Sequence, residues 1–525
     1  MPETKRRLPI GVQSFQKLRE EQFVYVDKTR YIYQLAEESV QYFLSRPRRF
    51  GKSLFLSALR AYWEGKKELF VGLEIEKLER DNPDAWQPHP VFYFDFNGQN
   101  YQDTPVEAVI IDHLKRWEEQ YQVIPDSETL GGRFQKLLIA ATKQTGQRCV
   151  VLVDEYDKPL LELIGKPERQ EHNKAVFKGF FSNLKSCDEY IQFVFITGVT
   201  KFYKVSIFSD LNQLRDISLN EKYAGICGIT DSELREAFAP EVAAMAEKCR
   251  ISNEECLQKL KAQYDGYRFH PNGDAVYNPF SLINALCDKE FGFYWFETGT
   301  PTFLIKQLKK IGFEPRRFSD KTIYTNERTL KEYTGDSLDI IPLLYQTGYL
   351  TVDSYDAARK RYSLAFPNEE VKYAFLESFI PEYVPAATAG NGLDIFTLDE
   401  DIENGNLDGV KQILTALFAS IPYTSSDAPF EHYFQTVIYL VFTLLGRYVL
   451  CEMHTFSGRI DCKVETDNYI YLFEFKRDES ADAALKQIED KSYTLPFIAD
   501  SRKLYKIGVS FDSEKRILAD WKVRE

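Results

Sequence analysis

A chain of 525 residues is too long for one ordinary core and calls for two to four domains. With 44% hydrophobic and 14% aromatic residues and no excess of Gly or Pro, it can bury real cores, which excludes extended disorder and collagen-like repeats. The net charge of −13 excludes a protein that coats nucleic acid non-specifically, because such binding runs on counterion release onto Lys and Arg.

A local basic groove is still compatible with that charge. Its candidates are Arg46, Arg48 and Arg49, and a tail carrying Arg502, Lys503, Lys506, Lys515, Arg516, Lys522 and Arg524, which reads equally well as a solvated charged face. The start, MPETKRRLPIG, has no apolar run behind it, so no secretory signal is expected. The apolar stretch 433–445 is interrupted by Gln435 and falls short of the roughly 18–20 residues that span a bilayer, which predicts a buried helix and no membrane partner. Eight cysteines without CxxC or His/Cys spacing point to reduced thiols, no zinc site and a cytoplasmic setting.

From 40 to about 220, apolar runs alternate with amphipathic ones. VQYFLS (40–45), VFYFDF (91–96), CVVLVDE (149–155) and IQFVFITG (191–198) read as buried strands, with helices at about 52–64, 105–124 and 168–186. Such alternation means a parallel sheet covered on both faces. From about 230 to 385 the pattern turns helical, with strand-like pieces YLTVDSY (349–355) and RYSLAF (361–366); this region reads as a helical lid and a mixed connector. PEYVPAATAGNG (381–392) is the best linker candidate. Helices at about 399–420 and 428–446, a strand pair, a helix and a last strand follow. The predicted division is 1–228, 229–385, 386–425 and 426–525.

Residues 44–53, Leu-Ser-Arg-Pro-Arg-Arg-Phe-Gly-Lys-Ser, follow the first strand and open a helix. In a phosphate-binding loop, backbone N–H groups cradle phosphates, a lysine reaches the β and γ phosphates and a hydroxyl holds Mg²⁺. Arg49, Phe50, Gly51, Lys52, Ser53 and Leu54 are the candidates for those contacts, although Arg46 stands where the first glycine usually does. Asp154 and Glu155 end the strand 149–155, where such an ATPase needs one carboxylate for Mg²⁺ and another to polarise water. Thr197 or Thr200, at the end of the next strand, could sense the γ-phosphate. Arg215 could serve as a charge-neutralising finger, but a surface arginine is the simpler reading.

YVDKT (25–29), SRPRRFGKSLFLSAL (45–59), VDEYDKP (153–159) and FSDLNQLRDISL (208–219) closely resemble the AAA-ATPase-like family of bacterial genomes, often fused to a PD-(D/E)XK nuclease domain. YDGYRF, VYNPFSL and FPNEEV resemble the connector of that family, so the resemblance covers essentially the whole chain. It implies that the Arg-Pro-Arg-Arg-Phe-Gly-Lys-Ser form is a normal phosphate loop, and that ATP is the ligand.

GRIDCKVETDNYIYLFEFK (458–476) reads as two alternating strands around Asp467-Asn468, a dipeptide suited to the positive φ of tight hairpins. A two-residue turn there places Asp461 opposite Glu474, with Lys476 on the same face and Ile460, Cys462, Val464, Tyr471, Phe473 and Phe475 on the other. Two facing carboxylates call for a cation. Asp461, Glu474 and the Phe475 carbonyl would ligate Mg²⁺ or Mn²⁺, and Lys476 would orient the attacking water. This D…ExK pattern resembles the PD-(D/E)XK site, with Ile460 in place of the proline. Glu431 on the preceding helix, with Gln487 and Lys491 on the following one, fit its supporting positions; His432 and His454 have no required role.

The function expected is an α/β protein with an ATP-binding module that gates or powers metal-dependent cleavage of nucleic acid, DNA by family analogy. A signalling or remodelling ATPase that binds nucleic acid without cutting it, and an inert scaffold, are the rivals. The oligomeric state stays open, a homo-oligomer included.

Overall fold

The structure is a computed structural model that describes residues 6–38, 41–125, 127–202, 214–295, 304–305, 308, 313, 323–331, 340–379, 395–419, 430–444, 448–455, 458–512, 514–515 and 517–525, the side chains of 395–396, 430–435, 444, 448–455 and 458 excepted. It divides into two units, Met1–Glu297 with Tyr324–Glu369, and Thr298–Ile323 with Glu370–Glu525.

The first unit is built on five parallel strands, β1 (Gln41–Ser45), β2 (Val91–Asp95), β3 (Cys149–Asp154), β4 (Ile191–Gly198) and the short β5 (Arg215–Asp216), in the order β2-β3-β4-β1-β5. Every residue of β3 is buried, as a strand covered on both faces must be. Each of its Val and Leu side chains contributes about 1.5–3 kcal/mol of burial. Phe92 and Phe94 of β2 meet Trp117 and Phe134 of the helices that follow, and Phe94 also meets Phe180 of the helix Pro167–Phe181. The helix Lys52–Trp63 leaves β1 directly after the phosphate loop.

Beyond β5, the helices Asp231–Ala237, Ala239–Cys249, Asn253–Tyr264 and Pro279–Asp288 share a core of Leu234, Phe238, Met245, Leu260 and Leu282. Thr230 and Glu233 start the first of them with a reciprocal capping box. A short strand β6 (Ile323–Thr325) precedes the antiparallel pair β7 (Thr351–Asp356) and β8 (Arg361–Ala365), at the two strand-like pieces of the connector.

In the second unit the stretch 399–420, expected as one helix, forms two, Ile395–Asn404 and Leu407–Ala419. The break is at Gly405, whose φ of 70° is left-handed and whose added Cβ would lie 2.9 Å from the Tyr469 ring. The helix Phe430–Leu444 buries Val437–Phe442, as the apolar stretch requires. Among the described residues no helix is long and apolar enough to cross a membrane.

The sheet of this unit has the order β13-β12-β11-β10-β9, from β9 (Tyr448–Thr455), β10 (Gly458–Glu465), β11 (Tyr469–Arg477), β12 (Lys503–Asp512) and β13 (Ile517–Arg524). The sequence reading of a strand pair and one last strand missed β9 and β13. In β13 only Leu518 and Trp521 are buried, so its charged residues alternate outward like a solvated tail. β9, β10 and β11 are antiparallel, and the helix Ala481–Asp490 leads from β11 to its parallel neighbour β12.

Gly266 has a φ of 97°, and a Cβ there would lie 1.9 Å from the Pro367 carbonyl oxygen. Gly266→Ala combines left-handed strain with overpacking against backbone, and should cost the first unit about 2–5 kcal/mol. Calorimetry should then show a lowered melting transition; an unchanged one would mean that this close approach does not exist in solution.

Candidate nucleotide and metal sites

The phosphate loop lies between β1 and the helix Lys52–Trp63. Gly51 caps that helix in a left-handed conformation, φ 92°, with no side-chain hydrogen bond to the first turn. The first-turn N–H groups therefore lack side-chain acceptors, the condition under which a helix N-terminus takes an anion. Arg49 also has positive φ, 68°, and lays its guanidinium over the Phe280 ring at 4.7 Å. Lys52 is buried, its amine donating to the carbonyls of Arg46 and Pro47 at 3.0 Å each.

Arg46 is not available to a nucleic-acid groove. It is 1% exposed, donates to the carbonyls of Ser45, Ser218 and Tyr223, and stacks over Phe269 at 3.9 Å. Phe50 is buried edge-on against Tyr267 and Phe269. These two side chains fasten the loop from behind, so its curvature does not depend on a glycine at position 46. Arg48 remains exposed, its carbonyl accepting from the Trp295 indole.

Asp154 ends β3, buried, and Tyr93 donates to its Oδ2 at 3.2 Å. Burial lifts its pKa to about 6; the Ser53 hydroxyl and Lys52 pull it down, while Glu155 and Asp95 add to the rise. Its Oδ1 has no hydrogen-bond partner among the described residues, nor does Oγ1 of Thr197, fully buried at the end of the neighbouring β4. Glu155 is half-buried with φ 49°, a strained setting for a non-glycine residue. Leu54 is half-buried in the first turn of the helix.

Thr200 does not share this position. Its N–H and hydroxyl both donate to the buried carboxylate of Asp157, at 2.6 and 2.8 Å, which also accepts from Val199 N. Asp157 sits within VDEYDKP yet has no role in the sequence reading, because its partners are brought by β4 from forty residues away. Arg215 pairs with Glu38 at 2.9 Å, as a surface arginine.

The second site lies where β10 and β11 part. Their ladder runs from Glu465 opposite Ile470 to Cys462 opposite Phe473, the register that a two-residue turn at Asp467-Asn468 gives. The turn itself differs from expectation, since neither residue has positive φ; instead Thr466 Oγ1 accepts from the N–H groups of Asn468 and Tyr469. One step beyond the ladder, the Asp461 carboxylate accepts from Phe475 N at 2.8 Å. Lys476 Nζ donates to Glu474 Oε1 at 3.1 Å, and Oε2 of Glu474, 1% exposed, has no partner among the described residues. Burial first, then the charge of Asp461, pushes Glu474 well above the usual carboxylate range, with Lys476 pulling it back.

Ile460 departs from the expected face. It packs with Ile470, Leu472, Leu485 and Ile488, beyond the last residue pair of β10 and β11. Gln487 is half-buried on the helix Ala481–Asp490 and Lys491 follows its end, exposed. Glu431 and His432 fall on the helix Phe430–Leu444 and His454 on β9, with side chains outside the described residues. The tail cations are largely answered by acids: Arg502 by Asp500, Lys503 by Glu525, Lys522 by Asp482 and Arg524 by Glu489, so they form a charged face. Among the described residues no three His, Cys, Asp or Glu side chains converge as a metal cluster, and Cys149, Cys187, Cys227, Cys249, Cys256, Cys287 and Cys462 are free thiols.

A parallel sheet with this phosphate loop defines an AAA-type ATPase domain, and a mixed sheet with this carboxylate pair a nuclease-like one in the same chain. Residues 9–208 match the family described as Predicted AAA-ATPase, and residues 429–521 match the PD-(D/E)XK nuclease superfamily. The chain belongs to this AAA-ATPase-like family and carries a nuclease-superfamily domain at its C-terminus. It is similar along 98% of both chains, at 36% identity over 530 residues, to the protein of Azotobacter chroococcum mcd 1 described as "Uncharacterized protein in vnfD 5'region".

The folded pKa of Asp154 exceeds its ordinary value, so its contribution to stability is full below about pH 4 and is lost as pH rises through about 6. Asp154→Asn removes that loss. Without nucleotide, the variant should be more stable than the parent at pH 8, by up to about 3 kcal/mol, with the difference vanishing towards pH 4. Melting temperatures across that range check it; equal values at pH 8 would mean that the carboxylate is solvated.

Proposed function

We propose that the first unit binds and hydrolyses ATP, that the C-terminal domain cleaves phosphodiester bonds in nucleic acid, DNA by family analogy, and that ATP gates or powers the cut. One observation carries the reading. Asp154 and Glu474 each bury a carboxylate oxygen with no hydrogen-bond partner among the described residues, so that ionising either acid is costly until a cation joins it. The chain division into an ATPase domain (1–228), lid and connector (229–385), helical linker (386–425) and nuclease domain (426–525) is part of this reading.

At the first site Ser53 and Asp154 would hold Mg²⁺, the N–H groups of Arg49–Ser53 would receive phosphate oxygens, and Lys52 would exchange its loop carbonyls for them. Glu155 is the base for the attacking water and Thr197 the group that senses the γ-phosphate. At the second site Asp461, Glu474 and the Phe475 carbonyl would hold Mg²⁺ or Mn²⁺. The metal supplies charge neutralisation at the scissile phosphate. Lys476, tethered to Glu474, orients the water. Glu431 and Gln487 support from the flanking helices.

Lys52→Ala should abolish ATP turnover and leave divalent-metal binding at the C-terminal site intact, while Glu474→Ala should do the reverse. Cleavage of single-stranded, double-stranded and branched DNA and of RNA, each with and without ATP, reads both variants. Cleavage that survives Glu474→Ala removes the nuclease centre; binding without cleavage by the wild type selects the non-cutting ATPase instead.

Metal binding should also release a proton from the Asp461–Glu474 pair, since burial and the charge of Asp461 hold Glu474 toward its protonated form. Calorimetry in buffers of different ionisation enthalpy measures it, and metal affinity should rise with pH. A pH-independent affinity through the neutral range would exclude Glu474 as a ligand.

A further inference from the structure

The ladder between β3 and β4 ends at Val153 opposite Ile196, one residue short of Asp154 and Thr197. Past that pair the sheet no longer fixes the two strand ends to each other, and their N–H and carbonyl groups need other partners. The β3 turn supplies them. Tyr156 N–H donates to the Thr197 carbonyl at 3.1 Å, and the Tyr156 hydroxyl donates to the Thr200 carbonyl at 2.9 Å while accepting from Phe202 N at 3.1 Å. Asp157, 1% exposed, accepts from Val199 N through both oxygens, at 3.1 and 3.0 Å. The N–H and hydroxyl of Thr200 complete its set at 2.6 and 2.8 Å.

The fit is close from the other strand as well. A Cβ on Gly198 would lie 2.5 Å from Asp157 Oδ1 and 2.9 Å from the Tyr156 ring, so only glycine lets the two turns close on each other. Every group that meets the Asp157 carboxylate is a donor, an arrangement that a charged acceptor answers best. Burial raises its pKa, and the Thr200 N–H and hydroxyl pull it back. Glu155 stands between β3 and this clamp with φ 49°, a conformation that persists only where its surroundings hold it. Thr197, with its unpartnered Oγ1, directly precedes Gly198 on the opposite side.

We propose that Asp157 is a positioning residue for hydrolysis: by gripping Val199 and Thr200 it keeps the Glu155 turn at one spacing from Thr197, so that the base and the γ-phosphate sensor address the same phosphate. This rests on the nucleotide reading of the phosphate loop. Asp157 acts through Glu155 and Thr197, on turnover and not on nucleotide affinity.

The test measures kcat for MgATP and the equilibrium affinity for MgADP on the full chain. Asp157→Asn keeps the shape but turns an amide donor toward groups that are all donors, and should lower kcat at least about tenfold, with MgADP affinity kept within about threefold. Gly198→Ala presses on the same carboxylate from β4 and should split kcat from affinity in the same way. Thr200→Val removes one donor and should lower kcat by about threefold or more, whereas Thr200→Ser keeps the hydroxyl and should restore it. A folded Asp157→Asn with wild-type kcat, or one that loses MgADP affinity in step with kcat, overturns the positioning role. If Asp157→Asn does not fold, the Thr200 pair decides, and equal kcat in the Val and Ser variants overturns it. A wild type that neither binds MgADP nor turns over MgATP would instead bring down the nucleotide reading, a distinguishable result.

Discussion

The constraint on which this molecule turns is the burial of carboxylates with an unanswered oxygen. Asp154 and Glu474 stand in different units, on unrelated sheets, yet both are almost wholly removed from water and both leave one oxygen without a hydrogen bond from a described group. A fold does not retain such groups for stability, since each favours the neutral acid and resists ionisation. Asp154 gains a rise in pKa to about 6, and Glu474 is pushed up by burial and by Asp461. Raised carboxylate pKa values of this kind cluster at functional sites, which is why these two acids stand at the centre of the proposed reading.

Around the first centre, the structure solves a problem set by its own sequence. A phosphate loop without its first glycine needs another way to hold its curve. Arg46 supplies one by burying its guanidinium among the carbonyls of Ser45, Ser218 and Tyr223 and on the face of Phe269. A buried guanidinium would be costly if unpaired; with three carbonyls and an aromatic ring it becomes a rigid anchor. Phe50 adds an apolar anchor four residues on. The loop is thereby tied to segments 218–223 and 267–269, far away in sequence.

The second centre uses strand separation. While β10 and β11 are paired, their backbone groups satisfy each other; where they part at Asp461, the Phe475 N–H loses its ladder partner and the Asp461 carboxylate takes it. Ile460, beyond the last β10–β11 pair, packs toward the helix Ala481–Asp490. Hairpin register and site geometry are therefore one feature, and the turn that fixes it depends on the Thr466 hydroxyl, not on left-handed residues.

Local pattern determined a good deal. Continuous apolar runs determined the four main parallel strands, because a strand buried on both faces has no room for alternation. The GKS string and the Asp-Glu strand end fell where expected, at the start of the helix Lys52–Trp63 and the end of β3, and a two-residue turn fixed the β10–β11 register, since strand register is arithmetic once the turn length is known. Tertiary structure alone decided what distant segments do to those residues. It assigned Thr200 to Asp157, withdrew Arg46 from solvent, gave Asp154 its raised pKa, broke the helix at Gly405 against Tyr469, and added β9 and β13 to the second sheet. Burial and partner choice depend on which residues meet across the fold, and a one-dimensional pattern carries no record of that.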